Sequence, residues 1–166
     1  MLSIGIDDTD SSEGMCTTYL VFKLIQFLIK ENATIVDYPL LIRLNPNIPW
    51  KTRGNGALCI RVKDIDEDRL FMHLKYLIDT YAHVGKRSNP AVVIFSAIDD
   101  EVREFSRKAL YTLLKRSEGF RLAEKADRVY FKGNGQGLIG AIAAVGSVLN
   151  EHTYELLAYR YANNCK

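Results

Sequence analysis

The sequence predicts an α/β fold, a mixed β-sheet with helices packed on it, in a single compact domain. Three observations carry that expectation. Short β-branched or aliphatic runs alternate along the chain with apolar residues at helical spacing. One run, AVVIFSA at 91–97, is apolar without a break, as a strand covered on both faces requires. The length of 166 residues, with 48% hydrophobic and 25% charged side chains, suits one core in an ordinary globular chain.

The elements follow in order. LSIGI (2–6) has the length and content of a short buried strand. Leu20, Leu24, Phe27 and Leu28, with Val21 and Ile25 beside them, keep helical spacing and predict a helix from about Cys16 to Lys30. TIVDYPLLIR (34–43) and GALCIRVK (56–63) are strand-like in composition, with Pro39 marking an edge or a bulge in the first. The acidic DIDED turn leads into a second amphipathic helix through Leu70, Leu74, Leu77, Ile78 and Tyr81. After the 91–97 strand, Asp99 can cap a third helix. Its buried stripe would be Val102, Phe105, Ala109, Leu110 and Leu113, and Gly119 is placed to end it. RVYF (128–131) makes a short strand before GNGQG opens LIGAIAAVGSVL. That helix is apolar almost all round and rich in small residues, so it belongs at the centre. HTYELLAYR (152–160) closes the chain with a strand.

Composition narrows the function. No apolar run approaches the roughly 20 residues that span a bilayer, and no basic segment precedes the carboxylates at the N-terminus as in a cleaved signal. Cys16, Cys59 and Cys165 are scattered without a CxxC, and the histidines lie far from them. These features point to a reducing cytoplasm, no membrane and no zinc site. The net charge of +2 is too small to imply nucleic acid, but its distribution is uneven. Residues 1–14 hold Asp7, Asp8, Asp10 and Glu13 with no cation, whereas 43–63 hold Arg43, Lys51, Arg53, Arg61 and Lys63 with no acid. Two such patches suit a metal–polyphosphate ligand, or are two solvated loops of opposite sign.

Four segments could carry chemistry. In IDDTD, carboxylates at a strand end sit where open α/β sheets bind ligands, and Mg2+ is commonly held by one or two carboxylates plus phosphates. The same residues can instead satisfy an Asx-turn. In GMCTT, Thr17 or Thr18 lies at the positive end of a helix, suited to a phosphoryl group or to ordinary capping. NPNIPWKTRGNG joins rigid prolines, Trp50, Lys51, Arg53 and two glycines that let backbone approach a ligand; the alternative is a solvated connection. GNGQGLIG is not a Walker A loop, having no GK[ST], and serves either as an amide nest for phosphate or as a tight turn.

Taken together, IGIDDTDSSEGMCTTYL, RLNPNIPWKTRGNGA and GNGQGLIGAIAAVG…HTYELLAYR resemble the N-terminal kinase-like domain of the archaeal tRNA-Ile agmatidine synthases (TiaS) over most of residues 1–160. The resemblance implies an ATP-dependent ligase that joins agmatine to C2 of the wobble cytidine of the AUA-decoding isoleucine tRNA. Residues 1–160 would be the ATP-binding catalytic domain and 161–166 a tail or point of truncation. The acidic motif falls on Asp7, Asp8 and Asp10, which would hold Mg2+–ATP, and the phosphorylatable threonine falls on Thr17. The basic glycine loop falls on Lys51, Arg53, Gly54, Asn55 and Gly56, the later one on Asn134, Gly135 and Gln136, as contacts for ATP or the wobble base. The resemblance implies that full members continue into further domains that grip tRNA, so this chain is expected to be either a fragment or a short homologue whose tRNA grip comes from elsewhere. Two other readings stay open: an ATP-dependent enzyme acting on a small molecule, and a non-catalytic nucleotide- or RNA-binding module.

Overall fold

The computed structural model describes residues 1–12, 14–52, 54–82 and 87–147. Six strands and five helices follow in the order β1 (Leu2–Asp7), α1 (Thr17–Lys30), β2 (Thr34–Ile35), β3 (Leu40–Arg43), β4 (Gly56–Lys63), α2 (Glu67–Tyr81), β5 (Ala91–Phe95), α3 (Asp100–Ala109), α4 (Arg116–Ala123), β6 (Arg128–Phe131) and α5 (Gly137–Gly146). The strands form one sheet in the order β2-β4-β1-β5-β6, with β3 also on β4. The α/β class with helices packed on a sheet is the expected one. Every pairing among the described residues is antiparallel, however, so the sheet is not mixed. The reason lies in neighbours rather than directions. Single helices do join strands of like direction, β1 to β2 and β4 to β5, but an oppositely running strand lies between the members of each pair.

Alternation along β1 divides the molecule into two layers of core. Ile4 and Ile6 are buried with Leu58, Ile60, Val92 and Ile94 beneath Leu20, Leu24 and Leu28 of α1 and Leu70, Leu74 and Leu77 of α2. On the opposite face Cys59, Val93 and Phe95 pack under α3, α4 and α5. Gly5 points to that second face, where an added Cβ would stand 2.0 Å from the Ala141 carbonyl oxygen. The absence of a side chain there lets α5 lie directly on the central strand, and α5 is accordingly buried along its whole length.

Three details depart from expectation. The 34–43 strand is interrupted at 36–39, where Pro39 offers no N–H, and survives as β2 and β3 on one edge of β4. The third helix stops at Ala109 in tight i→i+3 bonds from Leu110 and Tyr111, leaving Leu110 43% and Leu113 56% exposed rather than buried. Gly119 ends nothing: it lies inside α4, where an added Cβ would come 3.2 Å from Ile139, and so permits α4 to pack on α5. The predicted strand at 152–160 lies outside the described residues.

Candidate functional site

Asp7 is the last residue of β1 and shares the α5 face with Gly5. A Cβ at Gly140 would lie 1.9 Å from Asp7 Oδ2, so α5 carries a glycine where the carboxylate needs room. Asp8 then turns the chain with φ of 56°, a left-handed conformation that Asp tolerates. Its Oδ2 accepts from the Asn89 backbone N at 3.0 Å, and its carbonyl accepts from Ser88 Oγ at 2.7 Å. The two aspartates are therefore fixed to opposite partners, Asp7 beneath α5 and Asp8 against the 88–89 turn.

Burial pushes both acids up. Asp7 lies well above the ordinary carboxylate range, chiefly through loss of hydration and then through the charges of Asp8 and Asp10. Asp8 is raised to about 6, again mainly by burial, with the hydrogen bonds from Asn89 opposing. Carboxylates so placed are poorly compensated by protein alone. Among the described residues, no three His, Cys, Asp or Glu side chains converge into a metal cage. Two adjacent half-buried carboxylates, Asp7 with room left by Gly140, do match Mg2+, which takes one or two protein oxygens and completes its shell from phosphates and water.

These acids form one wall of a cavity of about 650 Å3. Lys51, Gly54, Asn55 and Gly56 line a second side, and Asn134, Gln136 and Gly140 a third. Leu44, Ile48, Trp50 and Leu113 add apolar surface, while Arg87 and Arg116 add cations. The loop after β3 is held by Leu44 N donating to Asn55 O (2.9 Å) and Asn55 Nδ2 donating to Asn45 O (2.8 Å). Lys51 Nζ donates to the Pro46 carbonyl of the same loop.

Asp7, Asp8, Asp10, Lys51, Gly54, Asn55, Gly56, Asn134 and Gln136 thus come together from three separated segments. Gly135 stands apart; with φ of 76° it lies under Phe120, whose ring an added Cβ would meet at 2.4 Å. Thr17 does not line the cavity either. It is 7% exposed, and its hydroxyl accepts from Thr9 Oγ1 at 3.0 Å. Arg53 lies outside the described residues.

The glycine-rich loop differs from an open amide nest. Asn134 N donates to Asn89 Oδ1 (3.1 Å), Gln136 N to Asn134 Oδ1 (2.9 Å) and Gly137 N to Asn89 O (3.1 Å). Three amides of the nest are already engaged by protein, so the loop meets the cavity through the Asn134 and Gln136 side chains. Sequence reasoning passed over Arg87, Asn89 and Arg116. Asn89 had only its position before Pro90 to signal it, and Arg116 heads a short helix that the misplaced Gly119 terminator concealed.

Comparison with known proteins bears on this arrangement. A family model described as the TiaS TCKD domain matches residues 3–64, and one described as the TiaS FLD domain matches 135–166. The tRNA 2-agmatinylcytidine synthetase TiaS of Cenarchaeum symbiosum is 43% identical over 165 residues, covering 98% of this chain. The chain belongs to the TiaS family. The Pyrococcus horikoshii TiaS is 42% identical over 170 residues and covers 99% of the chain. The crystal structure of TiaS in complex with its isoleucine tRNA and ATP superimposes with a TM-score of 0.87 at 38% identity, over 98% of this chain and 40% of that one. A complex of TiaS with the same tRNA, AMPCPP and agmatine gives 0.85 at 37% identity, over 98% and 40%. The chain spans 37% of the C. symbiosum relative and 40% of the P. horikoshii one. Helix α5 falls within the FLD match, yet it packs in the same core as β1. No helix among the described residues is long and apolar enough to cross a membrane.

Proposed function

We propose that this chain is the kinase-like catalytic part of a tRNA-Ile agmatidine synthase, binding Mg2+–ATP in the 650 Å3 cavity and serving the attachment of agmatine to C2 of the wobble cytidine. One observation carries the reading: the acidic turn, the 44–56 loop and the 134–140 segment, remote in sequence, line that single space. The TiaS complexes with isoleucine tRNA, ATP, AMPCPP and agmatine support it as relatives. Residues 1–160 would act as the catalytic unit.

Asp7 and Asp8 are the residues that would hold the metal, with Asp10 at the same wall. Bound Mg2+ supplies neutralisation of phosphate charge. Lys51, Arg87 and Arg116 line the space beside the acids and would stabilise the charge that phosphoryl transfer spreads over the phosphate oxygens. The apolar surface of Trp50, Ile48 and Leu113 suits the face of a base. Thr17 keeps the role of phosphate acceptor or holder; with its hydroxyl bonded to Thr9, acceptance requires that pair to separate.

Trp50 is the sole tryptophan and lies in the cavity wall, so its emission should change on adding Mg2+–ATP and stay constant with ATP in EDTA. Chromatography of nucleotides after incubation with Mg2+–ATP, with and without tRNA and agmatine, then separates the possibilities. Turnover needing tRNA supports the proposal. Turnover without tRNA identifies a small-molecule enzyme, and binding without product identifies a non-catalytic module.

A further inference from the structure

We infer that Asn89 is a positioning residue that ties the Asp8 carboxylate, held by its backbone N–H, to the glycine-rich loop, held by its side-chain oxygen, fixing two walls of the cavity at one separation. Asn89 sits in the short turn before β5 and lines the cavity, but its polar groups are directed to protein. Its backbone N donates to Asp8 Oδ2 at 3.0 Å and its carbonyl accepts from Gly137 N at 3.1 Å. Its side-chain oxygen accepts from Asn134 N at 3.1 Å.

Two glycines are explained by this residue. A Cβ at Gly133 would fall 2.5 Å from Asn89 Oδ1, and one at Gly137 would fall 2.5 Å from the Asn89 carbonyl oxygen. The loop is therefore glycine-rich in part because it closes around Asn89. The residue thus acts at both ends: its side-chain oxygen organises the loop, and its backbone N–H donates to the Asp8 carboxylate.

The consequence for ligand rests on the proposed nucleotide site, whereas the structural link does not, so two measurements keep them apart. Amide hydrogen exchange by NMR on the ligand-free 166-residue chain tests the link, and Trp50 emission titrated with Mg2+–ATP tests the consequence. Asn89→Ala removes the side-chain acceptor for Asn134 N and leaves the backbone donor to Asp8. It should speed exchange of the Asn134 amide about tenfold, leave β1 and β4 amides unchanged, and weaken Mg2+–ATP about tenfold. Asn89→Asp keeps the acceptor and adds like charge beside Asp8. It should restore protection at Asn134 while nucleotide affinity stays low. Unchanged exchange at Asn134 in Asn89→Ala overturns the inference, as does a uniform rise across the core, which marks a general loss of stability. If wild type shows protection dependent on Asn89 but no response to Mg2+–ATP, the link stands and the nucleotide reading fails.

Discussion

Replacing Asp8 with Asn should stabilise the ligand-free protein, and the size of the gain follows from the site. Burial raises the Asp8 carboxyl from 3.8 to about 6, so holding it ionised in the fold costs free energy at neutral pH. Roughly two pH units correspond to about 3 kcal/mol, which partial exposure of the group lowers to about 2. Asparagine tolerates the left-handed φ of 56° and can still accept from Asn89 N, so little is lost in exchange. Asp7 gains as well, because the Asp8 charge is one cause of its elevation. The pH dependence has a definite sign. A carboxyl raised in the fold binds more protons folded than unfolded, so wild-type stability is fully present below 3.8 and declines as pH rises through about 6. Thermal unfolding in EDTA at pH 8 should show the variant melting roughly 4–8 °C higher, a difference mostly gone at pH 4. The same change should abolish the response to Mg2+–ATP. A variant melting lower at pH 8, or one whose advantage ignores pH, would refute the claim that uncompensated charge is held in this wall.

Other expectations are more local. Gly5→Ala places a methyl 2.0 Å from the Ala141 carbonyl oxygen, and the variant should fail to give a cooperative melt, or lose at least about 3 kcal/mol in urea unfolding. Burial pushes the Cys59 thiol to about 12, so peptide mapping after iodoacetamide at pH 8 should find it unlabelled until the chain is unfolded, with half-exposed Cys16 labelled earlier. Asp99 caps α3 by accepting from Val102 N at 2.9 Å, and Asp99→Ala should lower the midpoint in the same urea assay. Tyr130 donates to Asp79 at 2.6 Å and is raised to about 12, so absorbance titration should show one tyrosine ionising after the rest, and Asp79→Asn should bring it back towards 10.

Much of the scaffold was legible because patterns of period two and 3.6 survive in the chain. Residues 2–6, 56–63 and 91–95 are strands where composition put them, and α1, α2 and α5 follow their apolar stripes. What periodicity cannot convey is adjacency. Nothing in LSIGI announces that it lies between β4 and β5, which is why the sheet's antiparallel order had to be seen. Glycines misled for a related reason. Gly119 looks like a stop signal, but its purpose is contact with α5; Gly133 and Gly137 look like a phosphate nest, but they yield space to Asn89. The acidic and basic segments were visible as opposite charge, and only folding could show that Lys51 shares a cavity with the acids while Arg61 pairs with Asp37 instead. Asn89 and Arg87 carried no motif at all, because their importance arises from tertiary placement.

Strand β1 is the first element of the chain and yet lies mid-sheet, which has a consequence for biosynthesis. Both of its hydrogen-bonding neighbours emerge from the ribosome long after it, β4 ending at residue 63 and β5 at residue 95. Helix α5, which roofs Asp7, arrives only beyond residue 137. A nascent chain therefore carries Asp7 in water, at its ordinary ionisation, until residues beyond 137 have emerged. The electrostatic burden on that acid is imposed when this helix docks.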